Sequence, residues 1–118
     1  MFSCCRNKSK ELAPYIIPVG AKLNVLVLDC IEDNVIHVQF IHLGQKESCI
    51  LHIAKYQPSA VSAPGQRLAH IIKNKWVSVT CLGYTTQGFA LVDAMNKRNL
   101  DIADYMIFKG YATSAQLI

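Results

Sequence analysis

The chain has 118 residues, of which 52% are hydrophobic and 17% are charged, and its formal net charge is +4. This length suits one domain, the apolar content can fill a core, and charge this sparse excludes an intrinsically disordered protein. No apolar run approaches the roughly 20 residues that span a membrane, and the first residues lack the apolar stretch of a signal peptide.

Residues 1–20 are predicted to be a flexible N-terminal tail, because they are polar at first and then twice interrupted by proline. Within them, Cys4 and Cys5 precede basic residues, a pattern that also fits palmitoylation at an acidic membrane surface. Phe2 stands where N-myristoylation requires glycine, so that modification is excluded. We favour a flexible tail over a palmitoylated segment.

Three strands with alternating apolar residues follow, at residues 22–30, 35–41 and 47–54. Turns rich in Asp, Asn and Gly separate them, which predicts an antiparallel meander. The alternation places Ser48, Ile50 and His52 on the outer face. The side chains predicted to point inward are Ile36, Val38, Phe40, Cys49, Leu51 and Ile53.

A helix and two further strands come next in the sequence. Ser62 is a suitable N-cap and Pro64 suits the first turn of a helix that ends near Asn74. Alternating residues then predict strands at 76–82 and 89–93, separated by a glycine-bounded turn.

A second helix closes the sequence. Either Asn99 or Asp101 caps it, and Gly110 ends it in the usual position after the last turn. The order β-β-β-α-β-β-α predicts a mainly β protein, a five-stranded OB-type barrel with two to three helices. We expect the domain to span residues 21–113, with residues 114–118 as a C-terminal tail.

The five cysteines indicate the redox environment. Their number is odd, three lie in predicted strands, and no secretory signal is visible, so we expect a reduced intracellular protein of the cytoplasm or nucleus. His37, His42 and His52 lie on different predicted strands or turns, without any Cys-x-x-Cys pair. We therefore expect neither a metal site nor a cofactor.

Two motifs in the C-terminal half carry a family resemblance. Residues 85–90, Thr-Thr-Gln-Gly-Phe-Ala, resemble the Tyr-Gly-Arg-x-Leu-Ala motif of the staphylococcal nuclease family. Residues 103–112 resemble the helix and glycine that follow in that family, and residues 65–82 are similar to its central helix and fourth strand. The resemblance covers residues 22–112 and implies a nuclease-like OB barrel with a cleft built around a phosphodiester.

The same resemblance implies that the nuclease chemistry is lost. The family cleaves phosphodiesters with a carboxylate-bound calcium ion, two arginines and a glutamate. Asp33 matches the first calcium carboxylate. Ile50 replaces the first arginine, and Lys55 replaces the second calcium aspartate. Ser59 replaces the glutamate, and Gln87 replaces the second arginine. A lysine repels the ion that an aspartate should hold, so we predict a degenerate site.

These observations favour a non-catalytic module that binds DNA or RNA through a basic face. A protein-interaction module is the alternative, and an active calcium-dependent nuclease is a weaker one. Trp76 either stacks on a base or peptide group or covers one end of the barrel, and we favour the second interpretation. The candidate nucleic-acid contacts are Lys46, Lys55, Tyr56, Arg67, Lys73, Lys75 and Tyr84.

Overall fold

The structure is a computed structural model that describes residues 17–59 and 65–114. Two short helices and seven strands make up this part of the chain. In chain order they are β1 (Lys22–Glu32), β2 (Val35–His42), β3 (Gln45–Ile53), β4 (Tyr56–Pro58), α1 (Gln66–Ile72), β5 (Trp76–Tyr84), β6 (Ala90–Met95), α2 (Ile102–Phe108) and β7 (Ala112–Ser114).

Five of the strands close into a barrel in the order β1-β2-β3-β6-β5, with β5 paired back to β1. All neighbours are antiparallel except β3 and β6, which run parallel. A parallel pair needs a long crossover, and the segment containing α1 and β5 supplies it. The predicted OB-type barrel with two helices is therefore confirmed.

Side chains that alternate along the strands fill the barrel. The six residues predicted to face inward on β2 and β3 are all buried, and Val77, Val79 and Cys81 of β5 join them. Ile50, which alternation assigns to the outer face, is nevertheless buried and only 8% exposed. Alternation assigns a residue to one side of a sheet, but it does not reveal whether another segment covers that side.

A second, two-stranded sheet was not predicted. Strand β4 pairs with β7, and Tyr56 lies opposite Ser114. Each strand has three residues, which is too short for a period of two to be visible in the sequence. The pairing ties the chain after α2 to the segment that leaves the barrel after β3.

Helix α1 begins at an unexpected residue. The predicted N-cap Ser62 lies outside the described residues, and Gly65 occupies the cap position with a left-handed φ of 82°. A Cβ atom at this position would lie 2.1 Å from the carbonyl oxygen of Cys30 in β1. Only glycine fits so close to a neighbouring backbone, and this contact seats α1 against β1.

Helix α2 begins and ends as predicted. Of the two candidate caps, Asp101 is the one used, because its carboxylate accepts a hydrogen bond of 2.9 Å from the N–H of Ala103. Asn99 instead forms part of the preceding turn, with a positive φ of 63°. Gly110, with a φ of 78°, follows the C-cap Lys109.

The barrel includes residues that we predicted to lie in the N-terminal tail. Ile17 belongs to the core with 4% exposure, and the N–H of Gly20 donates to the carbonyl of Cys81 at 2.7 Å. Packing against the barrel therefore begins at least as early as Ile17, and the bounds of the domain stay a prediction. Residues 1–16, with Cys4 and Cys5, and residues 115–118 lie outside the described residues. No helix in the described part is long and apolar enough to cross a membrane.

Candidate functional site

A buried ion pair occupies the turn between β1 and β2. The Asp33 side chain is 1% exposed and accepts hydrogen bonds on Oδ2 from Nε and Nη2 of Arg67, at 2.9 and 2.7 Å. Its other oxygen accepts a weaker bond of 3.4 Å from the N–H of Leu68 in α1. The carboxylate thus has a partner for each oxygen, as a buried charge requires.

Aromatic and backbone groups complete this arrangement. The Tyr56 hydroxyl donates to the carbonyl oxygen of Asp33, and Arg67 Nη2 also donates to the carbonyl oxygen of Ser59 at 3.0 Å. The guanidinium carbon lies 4.9 Å from the centre of the Tyr111 ring. Burial, followed by the nearby Asp33 carboxylate, raises the pKa of Tyr56. We call these five residues the Asp33–Arg67 cluster.

A second ion pair joins β6 to the residue before β4. Lys55 Nζ lies 3.1 Å from Oδ2 of Asp93, and this hydrogen bond is the main cause of the raised pKa of Lys55. The carboxylates of Asp101 and Asp104 raise the Lys55 pKa further. Lys55 is therefore surrounded by negative charge from β6 and from the start of α2.

The positions carried over from the nuclease family are occupied in different ways. The Asp33 carboxylate is committed to Arg67, Ile50 is buried, and Lys55 is bonded to Asp93. The N–H of Ser59 donates to the carbonyl of Tyr111, and its carbonyl accepts from the Arg67 side chain. Gln87 is exposed in the turn between β5 and β6. Within residues 17–59 and 65–114, no group of three or more His, Cys, Asp or Glu side chains could hold a metal ion.

Several predicted nucleic-acid contacts already have partners inside the protein. Tyr56, a candidate nucleic-acid contact, lies in β4 and is 2% exposed because its ring packs in the core, so that prediction is wrong. The Tyr84 hydroxyl donates to the carbonyl oxygen of Ile17. Arg67 is paired with Asp33. Lys73 Nζ lies 3.7 Å from Oδ1 of Asp29, and both of these side chains are exposed.

An open groove lies elsewhere on the barrel, around Trp76. It has a volume of ≈ 700 Å³ and runs between the end of α1, the start of β5 and the loop from β6 to α2. A second depression of ≈ 640 Å³ adjoins it and shares Trp76, Val77, Asn96 and Lys97. Trp76 is 41% exposed at the first residue of β5. We call this surface the Trp76 groove.

Hydrogen bonds fix one wall of the groove to the barrel. After α1, the N–H of Asn74 donates to the carbonyl of Val27 at 2.7 Å, and the N–H of Val27 donates to the carbonyl of Lys75 at 2.9 Å. Asn74 adopts a positive φ of 65°, which asparagine tolerates better than most residues. Lys75 and Trp76 therefore extend from a backbone that β1 holds in place.

The opposite wall is a closed turn. Oδ1 of Asn96 accepts hydrogen bonds from the N–H groups of Arg98 and Leu100, at 2.8 and 2.9 Å. Asparagine is well suited to such turns because its side chain can substitute for a backbone acceptor. The side chains of Lys97 and Arg98 line the groove from this turn, and Tyr105 of α2 lies beside them.

The groove is positively charged. Lys75, Lys97 and Arg98 line it, and none of them forms an ion pair with another residue in the described part of the chain. No lining residue is acidic. Lys75 was among the predicted contacts, whereas Lys97 and Arg98 were missed. The polar run from Asn96 to Asn99, between a strand and a helix cap, is the signal that could have revealed them.

No family model matches the chain, and no curated protein matches it. Among solved structures, the chain is similar to the extended Tudor domain TD3 of mouse TDRD1 in complex with a MILI peptide containing dimethylarginine. The TM-score is 0.69 at 8% identity, covering 91% of this chain and 100% of that one. An extended Tudor domain of human TDRD1, in complex with a symmetrically dimethylated E2F peptide, gives a TM-score of 0.50 at 13% identity, covering 86% and 68%.

At these identities the likeness concerns the fold. Extended Tudor domains contain a five-stranded barrel of the nuclease-like, OB type, which is the architecture that the sequence predicted. The likeness adds no evidence for nuclease chemistry, so the degenerate nuclease site stays a prediction. The chain has the nuclease-like OB barrel fold that these extended Tudor domains share.

Proposed function

We propose that this chain is a non-catalytic protein-interaction module that holds a peptide segment of a partner protein in the Trp76 groove. This was the alternative among the functions considered from the sequence, and two kinds of observation now favour it over nucleic-acid binding. They are the peptides bound by structurally similar domains and the shape of the groove.

The similar extended Tudor domains were solved with peptides of other proteins bound to them. A shared barrel does not transfer a ligand, because function depends on the residues of a site and not on the fold that carries them. It does favour one class of function, since the same framework presents peptide-binding surfaces in those proteins.

The Trp76 groove is the observation that carries the proposal. An exposed tryptophan flanked by polar and charged groups is typical of an interface anchor, since its large ring contributes apolar contact area and its N–H can donate a hydrogen bond. Both walls are held by backbone hydrogen bonds, so little conformational freedom remains to be lost when a peptide binds.

A peptide array tests this function. Peptides of one length, covering unmodified, acidic, basic and arginine-dimethylated sequences, are incubated with the wild type and with Trp76→Ala. We expect binding to at least one class, and we expect Trp76→Ala to weaken it by about tenfold or more. Phe108→Ala is the matched control, because Phe108 is another exposed aromatic residue, at 86%, that does not line the groove. Equal losses in both variants, or no binding by the wild type, would contradict the proposal.

Nucleic-acid binding is the second candidate, and a specific observation supports it. The groove places an exposed aromatic ring beside Lys75, Lys97 and Arg98. Proteins that bind single-stranded nucleic acids combine aromatic and basic side chains in this way. An electrophoretic shift assay with DNA and RNA over a salt series tests it, because affinity that depends on phosphate contacts falls steeply with salt. If low salt produces no shift with any nucleic acid, this candidate is wrong.

We also propose that the protein has no calcium-dependent nuclease activity. A carboxylate paired with Arg67 and a lysine paired with Asp93 leave too few oxygen ligands at the positions of the nuclease calcium site. The test is incubation with plasmid and single-stranded DNA and RNA, with calcium or with chelator. Cleavage that requires calcium and co-purifies with the protein would overturn this proposal.

A further inference from the structure

We propose that the Trp76 groove selects a peptide segment that carries acidic side chains, and not the methylated-arginine peptides bound by the similar Tudor domains. This inference rests on the proposed protein-interaction function and assigns it a class of ligand.

The cations of the groove are not neutralised by acids of the described chain. Three basic side chains elsewhere do form ion pairs: Lys55 with Asp93, Arg67 with Asp33, and Lys73 with Asp29. The groove cations Lys75, Lys97 and Arg98 form no such pair with a described residue. Like charges gathered in one depression repel one another, and an anionic ligand relieves this repulsion.

The acids that border the groove in the sequence do not line it. Asp101 and Asp104 follow the groove turn along the chain, but neither is a lining residue. The Asp101 carboxylate instead accepts the capping hydrogen bond from Ala103. An acidic peptide meets complementary charge in the groove, whereas a cationic peptide is repelled.

The aromatic rings of the groove lie beside cations. A methylated cation is bound by aromatic faces that surround it, with no competing cation in the cage. In the groove, Trp76 and Tyr105 stand among three cations, and Lys109 Nζ already lies 6.0 Å from the Tyr105 ring. Two rings elsewhere already have partners. The Arg67 guanidinium lies over the Tyr111 ring, and the His52 ring stacks on Phe89 with 5.1 Å between their centres. The described residues therefore form no open cage.

The number of exposed rings distinguishes a peptide from a nucleic acid. Proteins that bind single strands combine a basic path along the backbone with several rings on which successive bases stack. Three cations without an ion pair in the described chain line this groove, whereas Lys22, Lys46 and Lys109, which also form none, lie outside it. Trp76 carries the one exposed ring among the groove's described lining residues. This arrangement fits a short segment with two or three acidic side chains and one apolar side chain against the indole.

Intrinsic fluorescence provides a direct test, because Trp76 is the only tryptophan in the chain. The full chain is titrated with twelve-residue probes of one design. Four of them are peptides: an alternating Glu/Leu peptide, its Gln/Leu counterpart, an Arg/Leu peptide, and the same Arg/Leu peptide with symmetrically dimethylated arginines. The fifth probe is an oligo-dT of the same length. We expect the Glu/Leu peptide to bind at least about tenfold more tightly than each of the other peptides, and added salt to reduce the difference.

Charge reversals locate the effect. Lys97→Glu and Arg98→Glu should each weaken binding of the Glu/Leu peptide by about tenfold or more, because each places a negative charge opposite the acidic side chains of the peptide. Lys46→Glu is the matched control, since Lys46 is exposed in β3 and outside the groove. Circular dichroism confirms that each variant is folded. Equal weakening by Lys46→Glu and Lys97→Glu would contradict a site in the groove.

The outcomes separate this inference from the function on which it rests. If the dimethylated or the Gln/Leu peptide binds as tightly as the Glu/Leu peptide, the acidic preference is wrong but the interaction function stands. If only oligo-dT binds, both are wrong and the nucleic-acid candidate is supported. If no probe changes the fluorescence and calorimetry detects no binding, both are likewise rejected.

Discussion

The Asp33–Arg67 cluster and the Trp76 groove use similar side chains in opposite ways. In the cluster, the Asp33 carboxylate, 1% exposed, bonds to the Arg67 guanidinium, which in turn lies over the Tyr111 ring. The Tyr56 hydroxyl donates to the Asp33 backbone carbonyl. In the groove, three cations and an indole face solvent, with no acid among them. Charges that satisfy one another inside a protein have little left for a ligand, whereas unpaired charges on a rigid wall are available to one.

This difference corrects an expectation based on resemblance. The nuclease-like positions and the basic residues between 46 and 75 directed attention to one region of the barrel. In that region, however, Lys55, Arg67 and Lys73 each have an acidic partner. The charge available in the groove comes from Lys75, at the end of that stretch, and from the turn between β6 and α2, which the resemblance did not single out. The comparison predicts that substitutions in the cluster affect stability and substitutions in the groove affect binding.

The largest effect is expected from Arg67→Met, which keeps most of the aliphatic stem but removes the charge. It leaves the Asp33 carboxylate buried without its cation, so the free energy of unfolding should fall by about 3 to 5 kcal/mol. Urea unfolding monitored by circular dichroism measures this change. Lys73→Ala is the control, because its exposed pair with Asp29 should contribute less than about 1 kcal/mol. Similar losses in both variants would break the comparison.

A smaller effect is expected from Tyr56→Phe. The variant keeps the buried ring but removes the hydroxyl that donates to the Asp33 carbonyl, and it leaves that oxygen without this donor. An unsatisfied buried acceptor costs about 1 to 3 kcal/mol. The same unfolding experiment measures it. Tyr105→Phe is the matched control, since no hydrogen bond of its hydroxyl is found with the described residues, and a loss as large there would contradict the explanation.

Alkaline pH tests whether the region beside the cluster is closed to water. Burial, and then the Asp29 carboxylate, raise the pKa of Cys30 from 9.0 to about 12. The unfolded thiol therefore ionises first, so its contribution to stability is complete below pH 9 and is lost as pH rises towards 12. The loss amounts to about 1.4 kcal/mol per pH unit for one group.

Cys30→Ala removes this contribution, so the free energy of unfolding of the variant should fall less steeply with pH than that of the wild type. Measurements at pH 9.5 and 10.5 compare the two slopes, and alkylation at neutral pH adds a second measure of access. Parallel slopes, or rapid alkylation of Cys30 in the folded protein, would show that water reaches this region.

The smallest effect on stability is expected in the groove. Lys97→Ala removes an exposed side chain that has no ion-pair partner among the described residues, so the free energy of unfolding should change by less than about 0.5 kcal/mol. The same variant should weaken binding of an acidic peptide. If Lys97→Ala destabilises the protein as much as Tyr56→Phe does, the groove is part of the structural framework and the comparison fails.

Local patterns in the sequence were sufficient to predict most of the fold. Alternation identified the inward residues of β2 and β3, and the capping preference of aspartate identified the start of α2 at Asp101. Strands β4 and β7 were missed because three residues do not reveal a period. The order of the elements then predicted the closed barrel, since few arrangements remove all the edges of five strands.

The candidate site was harder to predict because its parts are distant in the sequence. Arg67 and Asp33 are 34 residues apart, and only the folded chain shows that they neutralise each other. The groove likewise combines the end of α1, the first residue of β5 and a turn some 20 residues later. A sequence shows which residues are charged, but their availability to a ligand depends on what folding places beside them.

The close approach of Gly65 to β1 has a consequence for evolution. A side chain of any size at this position would collide with the Cys30 carbonyl, and the left-handed φ of 82° disfavours every residue except glycine. Homologues that retain the seating of α1 should therefore keep this glycine even where their surfaces have diverged beyond recognition. With sequence identities as low as 8% among proteins of similar fold, such a backbone constraint is a better guide for aligning distant relatives than the charged residues of either region.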